Sequence, residues 1–184
     1  MAEKIKILFD SFHLYHLPQF DPVIDLLSKD DRFQIFHSTA AVNKKEEREL
    51  CLKILATKPG TMIYSDSEQE RAKMMKELDL DFFICGWSRY ELDEYISEKT
   101  LTGMIYHGIG VKPSYWLDNH PRLNIRFVEG IYRMNQLRSH GVDKELVLTG
   151  FTKLDPLFSQ NPGFDEKLAQ SLGLDPSKKT ILFA

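Results

Sequence analysis

Seven short runs of apolar, β-branched and aromatic residues recur along this chain, separated by stretches of helical periodicity. Ile5–Phe9, Phe33–His37, Thr61–Tyr64, Asp81–Cys85, Leu101–Tyr106, Ile125–Val128 and Glu145–Leu148 each have the length and composition of a strand. Between them, Pro22 after Asp21 predicts a helix start, followed by Val23, Ile24, Leu26 and Leu27 at helical spacing. Asn43 predicts a cap for a charged helix over 44–57 whose buried face carries Leu50, Ile54 and Leu55. Asp66 or Ser67 opens a helix through Leu78, the Glu-rich stretch over 89–98 is helical, and so is the segment from Gly130 to His140. Strands alternating with helices dictate βα units, hence an α/β fold with a mostly parallel sheet of about seven strands and helices on both faces. Such sheets bind ligands beyond the carboxyl ends of their strands. Gly86, Gly108, Gly110, Gly130 and Gly150 all fall there, whether as plain element terminators or as parts of a site.

The tail departs from the pattern. Asn161-Pro162-Gly163 breaks the chain, a helix follows from 164 to Leu172, Asp175-Pro176-Ser177 turns, and Lys178–Ala184 reads as one more strand. A strand in that position has no neighbour of its own to pair with. The organisation expected is therefore a domain over 1–158 and, over 159–184, a linker helix and the first strand of a further domain, the alternative being an edge strand that returns to the same sheet.

Several function classes are excluded by what is missing. At 184 residues and a net charge of −3, the chain gives no electrostatic reason to bind nucleic acid. No apolar run approaches the roughly 20 residues that span a bilayer, and the charged N-terminus is not that of a signal peptide. Cys51 and Cys85 stand far apart with no zinc or redox spacing, which predicts reduced thiols in a cytoplasmic protein. No glycine precedes Gly60, so the first turn cannot cradle a dinucleotide, and P-loop, HExxH and GxSxG patterns are absent. Lys44, Lys45 and Arg48 interleave with Glu46, Glu47 and Glu49, the pattern of a solvated helix face rather than a membrane-binding patch. No cofactor is called for.

Three segments carry candidate chemistry. In Tyr106-His107-Gly108-Ile109-Gly110-Val111-Lys112-Pro113, a strand delivers His107 to the carboxyl edge. There an imidazole can act as a general base, while Gly108, Gly110 and Lys112 offer backbone N–H groups and a positive charge to phosphate oxygens. The same histidine would also serve a purely local hydrogen bond at a strand end. In Thr149–Phe158, Gly150 follows a strand and Lys153 can face an anion while Asp155 caps the next turn, although a hinge with solvated charges has the same spacing. The stretch Ser11–Phe20, read as a loop, concentrates His13, His16, Gln19 and aromatic rings that suit an acceptor pocket or simply pack beneath the loop. His13 and His16, three apart with no acidic or cysteine partner close in sequence, do not make a metal site.

Taken together, Tyr15-His16-Leu17-Pro18-Gln19-Phe20-Asp21-Pro22-Val23, the His107-Gly108…Lys112 loop and Thr149-Gly150-Phe151-Thr152-Lys153-Leu154-Asp155-Pro156-Leu157 resemble the N-terminal half of CDP-glycerol glycerophosphotransferase-like proteins of the GT-B superfamily. Lys179–Ala184 resembles the start of that family's second domain, although the family's usual Thr-Pro after His-Gly is replaced here by Ile109-Gly110. The resemblance implies two Rossmann-like domains facing across a cleft. The absent C-terminal one would hold most of the nucleotide donor and a second catalytic histidine; the N-terminal one would supply the acceptor side and His107. It further implies transfer of glycerol phosphate from CDP-glycerol to a hydroxyl of a polymer or lipid-linked acceptor, as in teichoic acid synthesis, at the inner face of the membrane. The 184-residue chain by itself would then be inactive. A UDP-sugar glycosyltransferase or UDP-GlcNAc 2-epimerase-like protein shares this scaffold, and a non-catalytic α/β interaction module is the reading from a different class.

Overall fold

A computed structural model describes residues 3–87, 91–110, 112–158, 166–175 and 177–181. Seven strands form one all-parallel sheet: β1 (Ile5–Ser11), β2 (Phe33–Thr39), β3 (Thr61–Ile63), β4 (Phe82–Cys85), β5 (Leu101–Ile105), β6 (Ile125–Val128) and β7 (Glu145–Leu148). Their order across the sheet is β3-β2-β1-β4-β5-β6-β7, with Ile7 opposite both Ile35 and Phe82. The helices are α1 (Leu17–Leu27), α2 (Lys45–Leu55), α3 (Glu68–Glu77), α4 (Leu92–Tyr95), α5 (Ser114–Leu117), α6 (Ile131–Ser139) and α7 (Glu166–Ser171).

Strand alternation sends successive side chains to opposite faces. On one face Leu8, Phe83, Cys85, Met104, Val128 and Leu146 pack with Ala72 and Met75 of α3, Leu92 and Tyr95 of α4 and Leu137 of α6. On the other, Ile7, Phe9, Ile35, Ile84 and Ile105 pack with Phe20 and Ile24 of α1. The expectation of helices on both faces holds, but the covering is unequal. An apolar groove of about 330 Å³, lined by residues such as Phe9, Val23, Phe82, Ile84, Ile105 and Phe127, stays open on the α1 face. Right-handed crossovers explain it, because the steps leading from β4 through β7 all run in one direction and put their helices on the opposite side.

Several element expectations are corrected. The first helix begins at Leu17, not after Asp21, and Pro22 lies inside it. Leu17, Phe20 and Ile24 recur at helical spacing and are at most 3% exposed, so burial of that stripe outweighs the hydrogen bond Pro22 cannot donate. The segment read as a first loop is thus a 3₁₀ turn, Leu14–His16, running into α1. Lys44 rather than Asn43 is the N-cap of α2, because the Asn43 side chain donates instead to the Phe12 carbonyl. Within α2 the buried face carries Cys51 and Leu55, while Leu50 is exposed. The Ser67 cap of α3 forms as expected, its hydroxyl accepting from the Glu70 N–H. The helix expected over 89–98 is a single turn, α4, because the chain turns extended at Ile96 to bury that side chain; residues 88–90 lie outside the described ones. The short helix α5 had no counterpart in the sequence reading.

The chain falls into two compact units, Met1–Lys153 and Leu154–Ala184. A 3₁₀ segment, Thr152–Phe158, starts at the end of the first. In the second, α7 buries Ala169, whose carbonyl accepts from the Leu174 N–H. The terminal strand expected over 178–184 does not form in its described part: residues 178–181 pair with no strand and Ile181 is 94% exposed. An extended segment becomes a strand only when a neighbour takes its N–H and C=O groups; Leu182–Ala184 lie outside the described residues.

Candidate functional site

β1, β4 and β5 lie side by side, and the chain leaves their carboxyl ends at His13, Gly86-Trp87 and Tyr106-His107. The strand order reverses direction between β1 and β4, which opens the crevice where parallel sheets take ligands. A cleft of about 210 Å³ sits there, lined by Tyr15, Trp87, His107, Lys112, Tyr115 and Asp118 among others.

His107 is half-buried at its edge. Its Nδ1 lies 2.9 Å from the Gly86 carbonyl oxygen. A carbonyl only accepts, so Nδ1 carries the hydrogen and Nε2 of the neutral ring is bare. The Tyr115 hydroxyl, 3.1 Å away, therefore donates to Nε2. Burial lowers the His107 pKa below its ordinary value. The Gly86 carbonyl pulls it the other way, and the charges of Lys112, His13 and Lys153 reinforce burial. A neutral imidazole, its lone pair here accepting from a cleft-lining hydroxyl, has the protonation state that general-base chemistry requires.

Behind His107 the structure stacks further imidazoles. His16 is fully buried, its ring centroid 5.1 Å from that of His107. Burial, with His107 and His13 alongside, drives its pKa down to about 3. The His13 N–H donates to its Nδ1, so Nε2 carries the hydrogen and meets no partner among the described residues. A Cβ at Gly86 would come within 2.8 Å of the His16 ring, so only glycine lets β4 end there. Gln19 is also fully buried, giving its amide hydrogen to the Tyr15 carbonyl. Its backbone carbonyl accepts from Thr152. Both His16 and Gln19 thus stand behind the cleft wall rather than on it. His13 is partly exposed and stacks on Tyr15. Its Nδ1 donates to Glu47 of α2 at 3.1 Å, and the same carboxylate oxygen accepts from the Leu14 N–H.

The His-Gly loop owes its shape to Tyr115 and Arg133. A Cβ at Gly110 would lie 2.5 Å from the Tyr115 ring and one at Gly108 would press on its hydroxyl. Arg133, almost wholly buried, donates to the Gly110 carbonyl at 2.7 Å and is held by Glu129 and Gln136. Its guanidinium lies over the rings of Tyr106, Tyr115 and Trp116, with the nearest centroid, that of Tyr115, at 5.3 Å. The backbone of Gly108 and Gly110 is thereby committed to packing as well as to any ligand. Lys112 is exposed on the cleft rim, and Val111 lies outside the described residues. Gly150 adopts φ +81°, a left-handed turn that favours glycine. Lys153 is exposed at the end of the first unit. Asp155, in the second unit, is exposed in the first turn of the 3₁₀ segment.

Next to this cleft along the edge sits a buried polar cluster that nothing in the local sequence pattern announced. Arg71 of α3, with no exposure, donates to Asp10 and to Ser38, both at 2.8 Å, and to Glu68. Tyr95 donates to Glu68 at 2.7 Å, and so does the Ala41 N–H. Burial alone would raise the Glu68 pKa, but the Arg71 guanidinium, with the hydrogen bonds from Tyr95 and the Ala41 N–H, holds the carboxyl below its ordinary value. Among the described residues no three His, Cys, Asp or Glu side chains converge on a metal position. No helix among them is long and apolar enough to cross a membrane.

Two solved structures share this architecture. One, from Listeria monocytogenes and provisionally assigned as a UDP-N-acetylglucosamine 2-epimerase, superposes with a TM-score of 0.60 at 16% identity, over 94% of this chain and 52% of its own. The UDP-GlcNAc 2-epimerase of Neisseria meningitidis, solved with UDP-GlcNAc bound, superposes with a TM-score of 0.60 at 13% identity, over 92% of this chain and 54% of its own. The described sheet and helices are one half of a GT-B fold, and the chain spans about half the length of these structures. No protein-family model and no curated protein matches the sequence. The resemblance to glycerophosphotransferases therefore rests on its short motifs alone.

Proposed function

We propose that this chain is the acceptor-side half of a GT-B transferase that moves glycerol phosphate from CDP-glycerol to a hydroxyl acceptor, polymeric or lipid-linked. The observation that carries the reading is the neutral His107 ring at the cleft, locked by the Gly86 carbonyl with its basic Nε2 engaged by the cleft-lining Tyr115 hydroxyl. In this reading the acceptor oxygen forms a bond to the β-phosphorus of the donor, and the phosphoanhydride bond breaks so that CMP leaves with the electron pair. The acceptor proton passes to His107. Lys112 and Lys153 neutralise phosphate charge, while a second domain, led into by residues 159–184, holds the nucleotide. General-base help of this kind is worth about 10²–10⁴-fold, and the remaining acceleration comes from positioning and charge stabilisation.

The fold match to UDP-GlcNAc 2-epimerases favours a second reading, a nucleotide-sugar enzyme in which the same cleft faces a UDP-sugar. Offering the full-length protein CDP-glycerol and UDP-GlcNAc in parallel separates the two. The expected result is CMP release from CDP-glycerol in the presence of a hydroxyl acceptor, with UDP-GlcNAc left intact. UDP release or epimerisation of UDP-GlcNAc, with CDP-glycerol untouched, would overturn the first reading in favour of the second.

A further inference from the structure

His107 does not meet the cleft with a free lone pair, because the Tyr115 hydroxyl already donates to its Nε2 at 3.1 Å. An acceptor hydroxyl that approaches His107 must either push Tyr115 aside or hand its proton over through it. The surroundings of Tyr115 decide between these. Its ring is wedged against Gly110, where a Cβ would collide with it, and its hydroxyl lies against Gly108, where a Cβ would make a tight contact. The Arg133 guanidinium lies 5.3 Å from its ring centroid. Its backbone carbonyl accepts from Tyr106, whose own hydroxyl accepts from the buried Arg126 at 3.0 Å. A side chain held from its ring, its tip and its backbone does not swing away easily, yet it lines the cleft and its oxygen keeps a lone pair for a second partner.

We propose that Tyr115 is a proton-relay residue through which His107 acts: the cleft ligand's hydroxyl gives its proton to the Tyr115 oxygen as Tyr115 gives its own to His107 Nε2. The proposal rests on the transferase reading above and adds to it the atom that touches the substrate. The substrate O–H and the Tyr115 O–H break, a new Tyr115 O–H and an Nε2–H form, and the substrate oxygen bonds phosphorus as the nucleotide leaves with its bridging electron pair. Tyr115 ends as it began, and His107 ends as an imidazolium still donating from Nδ1 to Gly86. Burial raises the Tyr115 pKa, which keeps the resting hydroxyl protonated and donating. The two glycines of the His-Gly loop then have a chemical purpose, as the slot that lets this ring reach the base.

The test is Tyr115→Phe, which keeps the ring and removes only the hydroxyl, with its thermal midpoint read beside wild type. In the 184-residue chain, imidazole ¹⁵N shifts should report His107 unprotonated at Nε2, and the phenylalanine variant should raise its titration midpoint. The lost bond stabilised only the neutral ring. His13, His16, Lys112 and Lys153 also face His107 and are the same in both proteins. In the full-length protein, turnover with the active donor should fall by about 100-fold or more, the lower end of general acid–base help, with KM little changed. Tyr115→Phe retaining wild-type turnover while His107→Ala loses it would overturn the relay and leave the transferase reading standing. Neither substitution affecting turnover would remove the transferase reading's base. If no donor is turned over at all, that reading falls, and the ¹⁵N data decide on their own: a proton on Nε2, or a midpoint unmoved by Tyr115→Phe, overturns the relay.

Discussion

Asp10 and His13 are three residues apart at the end of one strand, and the polar clusters they belong to are built on opposite terms. Around Asp10 the guanidinium of Arg71 binds two carboxylates and a hydroxyl, and the cluster lies almost entirely inside the protein. Around His13 three imidazoles follow one another, His13 to His16 at 5.8 Å and His16 to His107 at 5.1 Å between ring centroids, with Glu47 bonded to His13. One of those rings keeps a buried hydrogen that meets no partner among the described residues, and another lines a cleft. Oppositely charged groups paired in low dielectric rigidify, whereas neutral rings beside a cleft retain capacity for a ligand. The first cluster braces the edge; the second is the one to which the proposed chemistry is assigned.

Substitutions can break that contrast. The largest effect expected is from His107→Ala in the full-length protein, a fall in kcat of about 10²–10⁴-fold with a melting temperature close to wild type. An equally active variant, or one that unfolds, would make His107 a bracing residue like its neighbours. Arg71→Ala should do the reverse, costing about 3–5 kcal/mol by removing one partner of the fully buried Arg71–Asp10 ion pair. Urea denaturation would read that loss, and a change below 1 kcal/mol would show the cluster to be unstressed.

Acid sharpens the comparison from the other side. His16 is held neutral in the fold, with a pKa near 3 against an ordinary 6.5, so below 6.5 the unfolded chain binds a proton that the folded one refuses. Stability is therefore complete above pH 6.5 and falls as pH drops toward 3, by about 2 kcal/mol between pH 7 and 5 from this residue alone. His37 and His107, also lowered, add slope in the same direction. Denaturation midpoints of wild type and His16→Gln across that range should diverge, with the variant the flatter; parallel curves would mean that His16 is not buried in solution. Gly110→Ala is expected to cost about 1–3 kcal/mol and to disturb His107, because the new methyl must displace the Tyr115 ring. A neutral Gly110→Ala in both melting and His107 titration would show that the ring has room to move.

The strands were legible because short apolar runs and helical stretches carry different periods, and His107 because it directly follows one of those runs. Pro22 hid α1: a local rule against proline was overruled by burial of Leu17, Phe20 and Ile24, which only the assembled sheet provides. The partners that define the site were hidden for a related reason. Glu47 reaches His13 across 34 residues and Arg133 reaches Gly110 across 23. Tyr115, only eight residues from His107, sits on a one-turn helix too short for any periodicity to reveal. Their aromatic neighbours in sequence suggest a cleft loop for His16 and Gln19, but the turn and helix that form there rotate both inward.

The strand order also governs how the polypeptide comes into being. β1 acquires its second flanking strand only when β4 arrives, with Lys6 and Asp81 bonded across a separation of 75 residues. Until the chain as far as Cys85 has left the ribosome, Leu8 and Phe9 lack one of the neighbours that shield them, so nascent molecules pass through a sticky interval. Slow refolding and chaperone demand follow from the central placement of the first strand.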